Sequence, residues 1–266
     1  MLILLPPSEG KTTAPYGDPV DHAQLWLPKL ATARRRVAGK LAGLSRRTSA
    51  RAVRETLQIL GLSEGQRDEL ARNAVLHEAP AAPATDVYTG VLYEALDANS
   101  LSGDARAWLD ETVVVFSGLW GVVRPADRIP AYRCSIGVTL PAPVGGLTAY
   151  WKKVLKPALE PAAADGPVLD LRSGAYAAMW TPPAGASATL RVLHERVAGG
   201  VAKRSIVSHF NKATKGRMVR ALAGATAAPA SIDEVVAALR DLKYQIEEQP
   251  AGAGKPRQLD VVVPEL

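Results

Sequence analysis

The chain has 266 residues, of which 47% are hydrophobic and 22% are charged, a composition typical of a folded protein with a large core. The sequence contains no apolar run of about 18 residues, and its first residues lack the basic segment of a secretory signal. The single cysteine, Cys134, excludes an internal disulfide. We therefore expect a cytoplasmic protein with no membrane partner, formed by residues 1–266 as one domain and monomeric.

Residues 1–5 are apolar and predict a first strand, which ends in prolines and small polar residues. Gly10 and Lys11 resemble the end of a phosphate-binding P-loop, but Leu5 stands where that motif needs its first glycine. We reject that motif. Ser8 and Lys11 remain candidate donors to a ligand, because ligands bind at the carboxyl ends of strands in open α/β sheets. A solvated turn is the alternative.

The segment 29–54 is strongly basic and contains no acidic residue. Its leucines and valine recur at helical spacing, which predicts a helix with one buried face and outward-facing cations. Such a helix is a plausible contact for a nucleic-acid backbone, and a solvated basic face is the alternative. The candidate DNA-binding residues in this segment are Arg34, Arg35, Arg36, Lys40, Arg46 and Arg47.

Residues 50–60 and 64–76 are expected to form two helices joined by a tight turn. Gly61 suits the end of the first helix and Ser63 the start of the second. The pattern resembles the helix-hairpin-helix module, whose turn approaches a DNA phosphate, although that module prefers a second glycine at the position of Ser63. An ordinary helical hairpin is the other reading.

Residues 113–137 combine a buried strand with a dense polar cluster. Val113 to Phe116 have strand character, and Ser117 begins the turn that follows. Three guanidiniums beside one carboxylate suit a phosphate or carboxylate ligand, whereas an internal Arg–Asp pair is the simpler reading. The candidates for this anion pocket are Ser117, Arg124, Asp127, Arg128, Tyr132 and Arg133.

The second half of the chain predicts further strands and helices. Residues 168–171 form a short buried strand that runs towards Ser173, and residues 189–197 and 201–210 form a hairpin. Asn211 is expected to cap a basic helix, Ser231 and Glu234 to form a capping box, and residues 244–249 to pair with 259–263. The second helix adds the DNA-binding candidates Lys212, Lys215, Arg217 and Arg220.

These elements predict a mixed α/β fold of the α+β kind, a curved mixed sheet flanked by helices with the hairpin near 50–76. The four histidines are scattered without the spacing of metal ligands, so we expect no metal and no cofactor. No serine lies in a nucleophile elbow, and no catalytic residue is assigned.

Five segments together resemble the YaaA peroxide-stress family over nearly the whole chain. They are LLPPSEGKT at 4–12, YTGVLY at 88–93, VFSGLWGVVRPADRIPAYRCSIG at 115–137, DLRSGAY at 170–176 and NKATKGRMVR at 211–220. The chain departs from the family pattern at residues 6–10 and at Asp170, where asparagine is common.

The resemblance implies a cytoplasmic protein of the oxidative-stress response that limits damage by iron and hydrogen peroxide. It also implies one α/β body with a basic cleft, a helix-hairpin-helix element and binding to duplex or branched DNA without sequence specificity. The alternative is an enzyme that acts on a nucleotide or another phosphorylated anion near Lys11 and Arg124, with Asp127 or Tyr132 transferring protons.

Overall fold

The computed structural model describes residues 1–198, 201–225, 229–250, 252 and 254–264. The strands are β1 Leu2–Leu5, β2 Ala82–Pro83, β3 Val113–Ser117, β4 Gly121–Val123, β5 Arg128–Ile129, β6 Thr139–Leu140, β7 Gly145–Gly146, β8 Val168–Asp170, β9 Ser187–Ala198, β10 Val201–Ser205, β11 Gln245–Gln249 and β12 Arg257–Pro264. The helices are α1 Ala31–Ser45, α2 Ala50–Leu60, α3 Asp68–Ala74, α4 Ala84–Val87, α5 Val91–Leu96, α6 Gly103–Thr112, α7 Leu147–Ala163, α8 Gly174–Ala177, α9 Ser208–Ala223 and α10 Ile232–Asp241.

Eight strands form the main sheet in the order β11-β12-β9-β8-β1-β3-β4, and β10 pairs with the far end of β9. The central strand β1 runs parallel to both β3 and β8, so that Ile3 lies opposite Val113 on one side and Leu169 on the other. Antiparallel pairs occur at β3–β4, β9–β10 and β11–β12. The predicted mixed α/β fold is confirmed, and the carboxyl ends of β1, β3 and β8 meet at one edge.

The core lies around the central strands. Every residue of β1 and β3 is buried, as continuous apolar runs in a parallel sheet require. Gly121 adopts a φ of +72°, and a Cβ there would lie 2.7 Å from the buried Trp151 ring. This glycine therefore permits both the tight β3–β4 turn and the close approach of α7. Among the described residues, no helix is long and apolar enough to cross a bilayer.

The expected helical hairpin at 50–74 is present. The Ser49 hydroxyl caps α2 by accepting from the Ala52 N–H, and Gly61 ends the helix with a φ of +65°. Ser63 and Gln66 form a reciprocal capping box for the next turn, a short 3₁₀ segment at Glu64–Gln66 that leads into α3. The second helix thus begins with a 3₁₀ turn and ends at Ala74, two residues earlier than expected.

The carboxyl-terminal hairpins are also present, with one boundary corrected. Strands β11 and β12 pair with Gln245 opposite Val262, and β9 pairs with β10, while the intervening residues 199–200 lie outside the described residues. The second strand ends at Ser205 rather than at 210. Helix α9 has begun by Ser208, and the Asn211 N–H donates to the Val207 carbonyl inside its first turn, so the expected cap at Asn211 is wrong.

The capping box at the start of α10 is present in modified form. The Ser231 hydroxyl accepts from the Glu234 N–H at 3.1 Å, as the sequence predicts. The Glu234 carboxylate, however, accepts from the Ala230 N–H at 2.8 Å and not from the Ser231 backbone.

Helices α5 and α9 pack with almost no space between their backbones. A Cβ on Gly216 would lie 2.1 Å from the Leu92 carbonyl oxygen, well inside any possible contact. Arg220, one turn later, donates to the carbonyls of Leu96 and Asp97 at the end of α5. These contacts fix α9 against the amino-terminal half of the chain.

Candidate functional site

Three polar segments meet where the parallel strands end. The loop at residues 6–11 follows β1, Ser117 ends β3, and Leu171 follows β8 with its N–H donating to the Leu4 carbonyl. The carboxyl edge of an open parallel sheet is the usual position of a ligand crevice. We call the cluster of Lys11, Tyr88, Ser117, Tyr132 and Arg133 the Lys11 site.

Lys11 is the central charged group of this site. Its Nζ donates to the Ser8 carbonyl at 2.7 Å and lies 4.2 Å from the centre of the Tyr132 ring and 5.4 Å from that of Tyr88. Burial, assisted by the Arg133 cation and opposed by the Glu9 carboxylate, lowers the pKa of Lys11 to about 8. The amine is therefore partly neutral near physiological pH.

A chain of three hydroxyls lies beneath the lysine. The Ser117 and Tyr132 oxygens are 2.7 Å apart, and those of Tyr132 and Tyr88 are 2.9 Å apart. Ser117 Oγ accepts from the N–H groups of Leu119 and Trp120, so its own proton is directed to Tyr132. The Tyr132 proton is then donated to Tyr88. Burial raises the pKa of Tyr88 to about 12, so this hydroxyl remains protonated.

Two tyrosines and a serine hold the loop after β1. The Tyr93 hydroxyl donates to the Pro6 carbonyl at 2.7 Å, and its ring stacks on Tyr88. Ser8 Oγ donates to the Gly10 carbonyl and accepts from the Thr89 N–H, so this predicted ligand donor is occupied within its own loop. Tyr176 on α8 is buried nearby, and its pKa is raised by burial and by Glu9.

Arg133 is fixed on both its backbone and its side chain. Asn73 of α3 exchanges two hydrogen bonds with the Arg133 backbone, and the guanidinium donates to the Glu9 carbonyl and pairs with its carboxylate, each at 3.1 Å. Cys134 follows, and burial raises the pKa of its thiol to about 12. A buried thiol of that kind is unreactive, so Cys134 is a packing residue.

A buried ion pair that sequence reasoning missed supports the end of β8. Both carboxylate oxygens of Asp170 accept from Arg172, whose guanidinium also lies 4.1 Å above the Phe116 ring. Lys215 donates to the Leu171 carbonyl at 2.9 Å, and burial lowers its pKa. Lys215 is buried, which corrects its assignment to a DNA-binding surface. Ser173, by contrast, is exposed.

The remaining pocket candidates lie elsewhere. The Asp127 carboxylate accepts from the N–H groups of Trp26 and Arg124, and the Arg124 guanidinium stacks 4.1 Å above the Trp26 ring. Arg124 also donates to the Val113 carbonyl, at the opposite end of β3 from Ser117 and so about 13 Å away. Arg124 and Asp127 therefore form an internal structural contact and not part of the Lys11 site.

Arg128 is exposed on a different surface. Its guanidinium donates to the Ala81 carbonyl at 2.6 Å and lines two open depressions of about 260 and 380 Å³. Asp18, Asp21 and Asp86 also line these depressions. The carboxylates disfavour an anion there, so the predicted pocket loses Arg128 as well.

Arg34 is the clearest correction among the DNA-binding candidates. Its side chain is fully buried, and its guanidinium donates to the carbonyls of Leu25, Trp26, Leu27, Trp120 and Val122. All of its donors therefore serve the fold, and no phosphate can reach them. Its neighbours Arg35 and Arg36 are exposed on the outer face of α1.

A basic groove lies between the first three helices. Arg46, Arg47 and Arg67 line a depression of about 440 Å³ together with Leu70 and Ala74, and we call it the α1–α3 groove. Each arginine is near one exposed carboxylate: Arg46 is 3.5 Å from Glu78, Arg47 is 2.9 Å from Glu55, and Arg67 is 3.8 Å from Glu64. Sequence reasoning found the first two arginines and missed Arg67, which the fold brings across from α3.

The other predicted DNA contacts have mixed surroundings. Lys40 and Arg47 line a second depression of about 380 Å³ next to Pro141. Gly61 and Ser63 are exposed at the hairpin turn, but the Ser63 N–H donates to Gln66 Oε1 and is not free for a phosphate. Lys212 and Arg217 are exposed, whereas Arg220 is half-buried and holds α5, as described above. Among the described residues, no group of three or more metal-ligating side chains occurs.

Comparison with known proteins shows to which family the chain belongs. The sequence model of the peroxide stress protein YaaA matches residues 1–250. A UPF0246 protein of Streptomyces coelicolor is 50% identical over 100% of both chains. A UPF0246 protein of Corynebacterium efficiens is 38% identical over 99% of this chain and 100% of its own, and an uncharacterized protein of Campylobacter jejuni is 28% identical over 81% and 82%. The chain therefore belongs to the peroxide stress protein YaaA family, as the resemblance indicated.

Proposed function

We propose that this peroxide stress protein binds DNA, duplex or branched, through its phosphate backbone and thereby limits iron- and peroxide-dependent damage. The observation that carries the proposal is the α1–α3 groove, where the guanidiniums of Arg46 and Arg47, which follow α1, and of Arg67, which precedes α3, line one depression. Guanidiniums bind phosphates bidentately, which suits a groove of this kind. The exposed Arg35 and Arg36 extend the positive surface along α1.

The carboxylates near the groove do not prevent phosphate binding. The side chains of Arg46 and Glu78 are 52% and 75% exposed, and those of Arg67 and Glu64 are 57% and 63% exposed. Exposed ion pairs contribute about 1 kcal/mol or less, so a phosphate can replace the carboxylate. Since contacts of this kind read the backbone and not the bases, binding is expected to be independent of sequence.

The experiment measures binding of a fluorescent duplex of about 20 base pairs, a single strand and a four-way junction over a range of salt concentrations. Affinity should fall steeply with salt, because each neutralised phosphate releases counterions with a logarithmic slope of about −0.9. Arg46/Arg47/Arg67→Ala should weaken binding at least tenfold and flatten that slope.

A matched control removes three cations from the opposite end of the sheet, Arg240, Lys255 and Arg257. This variant should bind nearly as well as the parent chain. Equal losses in both triple variants would show that net charge and not the groove drives binding. Binding that does not depend on salt, or no binding at all, contradicts the proposal.

The Lys11 site favours a second function, chemistry on a small phosphorylated molecule. A half-buried lysine with a lowered pKa, beside a hydroxyl chain and an arginine, is an arrangement found at functional sites. Of the three arginines that the sequence assigned to anion binding, Arg133 is the one at this site. Calorimetric titration with inorganic phosphate and nucleotides should show binding that Lys11→Met weakens and Arg124→Lys does not; no binding to either form contradicts this function.

A further inference from the structure

The Lys11 amine is placed for reaction rather than for ion pairing. Its two hydrogen-bond acceptors are the backbone carbonyls of Ser8 and Glu9, at 2.7 and 3.4 Å. Among the described residues, no carboxylate lies within ion-pair distance of Nζ, and the aromatic faces of Tyr88 and Tyr132 cover one side. A lysine held by carbonyls and rings keeps a lone pair available once its proton is lost.

The surrounding charges determine when that proton is lost. Burial and Arg133 favour the neutral amine, while the carboxylates of Glu9 and Glu69 favour the ammonium. With the pKa of Lys11 at about 8, roughly a tenth of the amine is neutral at pH 7, against less than about a thousandth for an ordinary lysine. Lysines desolvated in this way are the ones that form Schiff bases.

We propose that Lys11 forms a Schiff base with an aldehyde carried on a phosphorylated sugar. This inference deepens the second proposed function and rests on it. The neutral Nζ attacks the carbonyl carbon, a C–N bond forms, and the C=O π electrons move to oxygen, which takes one of the two protons on the nitrogen. The carbinolamine then loses its hydroxyl group as water while the nitrogen gives up its remaining proton to solvent. Amine and aldehyde thus yield imine and water, without an oxidant or reductant.

The hydroxyl chain supplies a proton donor for this step. Because Ser117 donates to Tyr132 and Tyr132 donates to Tyr88, the proton of the Tyr88 hydroxyl is not used within the chain. When Tyr88 gives this proton to the departing oxygen, the hydrogen bond that Tyr132 donates stabilises the Tyr88 phenolate. Solvent, which receives the proton of the nitrogen, returns one to Tyr88. Tyr88 is therefore the group we assign to protonate the carbinolamine.

Arg133 is the side chain that binds the phosphate group of the sugar in this proposal. Its side chain is 21% exposed, and the Glu9 carboxylate that pairs with it is 56% exposed, so an arriving phosphate can displace that carboxylate. Asn73 fixes Arg133 from one side of α3, whereas Arg67, Leu70 and Ala74 of the same segment line the α1–α3 groove. The two sites are thus separated by about the width of a helix, roughly 10 Å.

Two kinds of molecule carry such an aldehyde together with a phosphate. They are the ring-opened sugar of an abasic site in DNA and a free sugar phosphate. The experiment incubates the full chain with a duplex that carries one abasic site, or with glyceraldehyde 3-phosphate, and then reduces the mixture with borohydride. Peptide mass mapping locates the reduced adduct. Labelling of Lys11 should exceed that of the exposed Lys153 at least tenfold at pH 7, and its rate should rise with pH up to about 8.

The controls separate the possible outcomes. Lys11→Arg keeps the positive charge and should abolish the site-specific adduct, and Lys153→Arg, at an exposed lysine on α7, should leave it unchanged. An adduct that forms with the abasic duplex alone identifies DNA as the source of the aldehyde. An adduct that forms with the triose phosphate alone identifies a free metabolite as the source. Labelling spread evenly over surface lysines, or no adduct with either probe, overturns the proposal. Phosphate binding without trapping would leave the second proposed function intact and refute the Schiff base alone.

Discussion

Asn73 binds both polar groups of the Arg133 backbone: its Nδ2 donates to the Arg133 carbonyl at 2.8 Å, and its Oδ1 accepts from the Arg133 N–H at 2.9 Å. This fully buried amide connects α3, which lines the basic groove, to the loop that carries Arg133. The pair is the direct link between the α1–α3 groove and the Lys11 site.

Asn73→Ala should therefore destabilise the protein and loosen the Lys11 site. Two part-buried backbone groups would lose their partners, at a cost of about 1 to 3 kcal/mol each. We expect the free energy of unfolding in urea to fall by about 2 to 4 kcal/mol. Asn99→Ala, at an exposed asparagine, is the control and should cost less than about 0.5 kcal/mol. A similar loss in both variants would contradict the structural role of Asn73.

Arg34→Met tests the buried guanidinium that was first expected on the surface. The substitution leaves five buried carbonyls with fewer donors, and we expect a loss of at least about 3 kcal/mol in the free energy of unfolding. Arg36→Met, on the exposed face of α1, should change stability by about 0.5 kcal/mol or less. Urea titrations of the two variants side by side make the comparison, and equal effects would place Arg34 at the surface after all.

Gly216→Ala tests the contact between α5 and α9. Its Cβ would lie 2.1 Å from the Leu92 carbonyl oxygen, so the helices must move apart, and overpacking of this kind costs about 1 to 3 kcal/mol. Gly39→Ala in α1 is the matched control, because no atom lies within 4 Å of the added Cβ. That variant should be stabilised by up to about 1 kcal/mol, since alanine is the better helix former. Thermal unfolding curves that move in the same direction for both would contradict the close contact.

The buried His22 predicts that the free energy of unfolding decreases at acid pH. Burial, assisted by Arg35 and His77, lowers the pKa of His22 to about 4 from 6.5. Between these values the unfolded chain binds a proton that the folded chain does not, so stability falls as pH decreases from 6.5 to 4. The penalty at pH 4 is about 2 to 3 kcal/mol. Unfolding free energies of His22→Phe should lack this change, whereas His77→Phe, at an exposed residue, should retain most of it, because burial is the largest cause of the lowered pKa of His22.

The strands and turns followed from local sequence because local chemistry determines them. The apolar run at 113–117 predicted β3, and Gly61 with Ser63 predicted the turn after α2. Long-range contacts were not accessible in this way. No pattern in the sequence around Arg67 predicts that it lines the groove, and none around Asn73 predicts that it binds the Arg133 backbone.

Two buried cations did have such a signal. Arg34 lies four residues after Leu30 and three before Val37, which places it on the same apolar stripe of α1. Lys215 likewise precedes Met218 and Val219 at helical spacing. A count of the cations predicts a basic surface. The position of each cation relative to the apolar stripe of its helix identifies which side chains are buried.

The three hydroxyls of the Lys11 site could not be joined to one another from the sequence. Tyr88, Ser117 and Tyr132 come from three separate segments, and only the folded chain places their oxygens within 3 Å of the next. The sequence named Ser117 and Tyr132 as candidates on grounds of spacing but gave no reason to join them to Tyr88. Their connection depends on the end of β3 meeting the residues that precede α5.

The burial of Cys134 has a consequence for a protein of the peroxide response. Hydrogen peroxide oxidises the thiolate, and with a thiol pKa of about 12 roughly one cysteine in a hundred thousand is ionised at pH 7. Of the three methionines, Met179 and Met218 are fully buried as well. The fold therefore keeps three of the four sulfur atoms of the chain away from the oxidant.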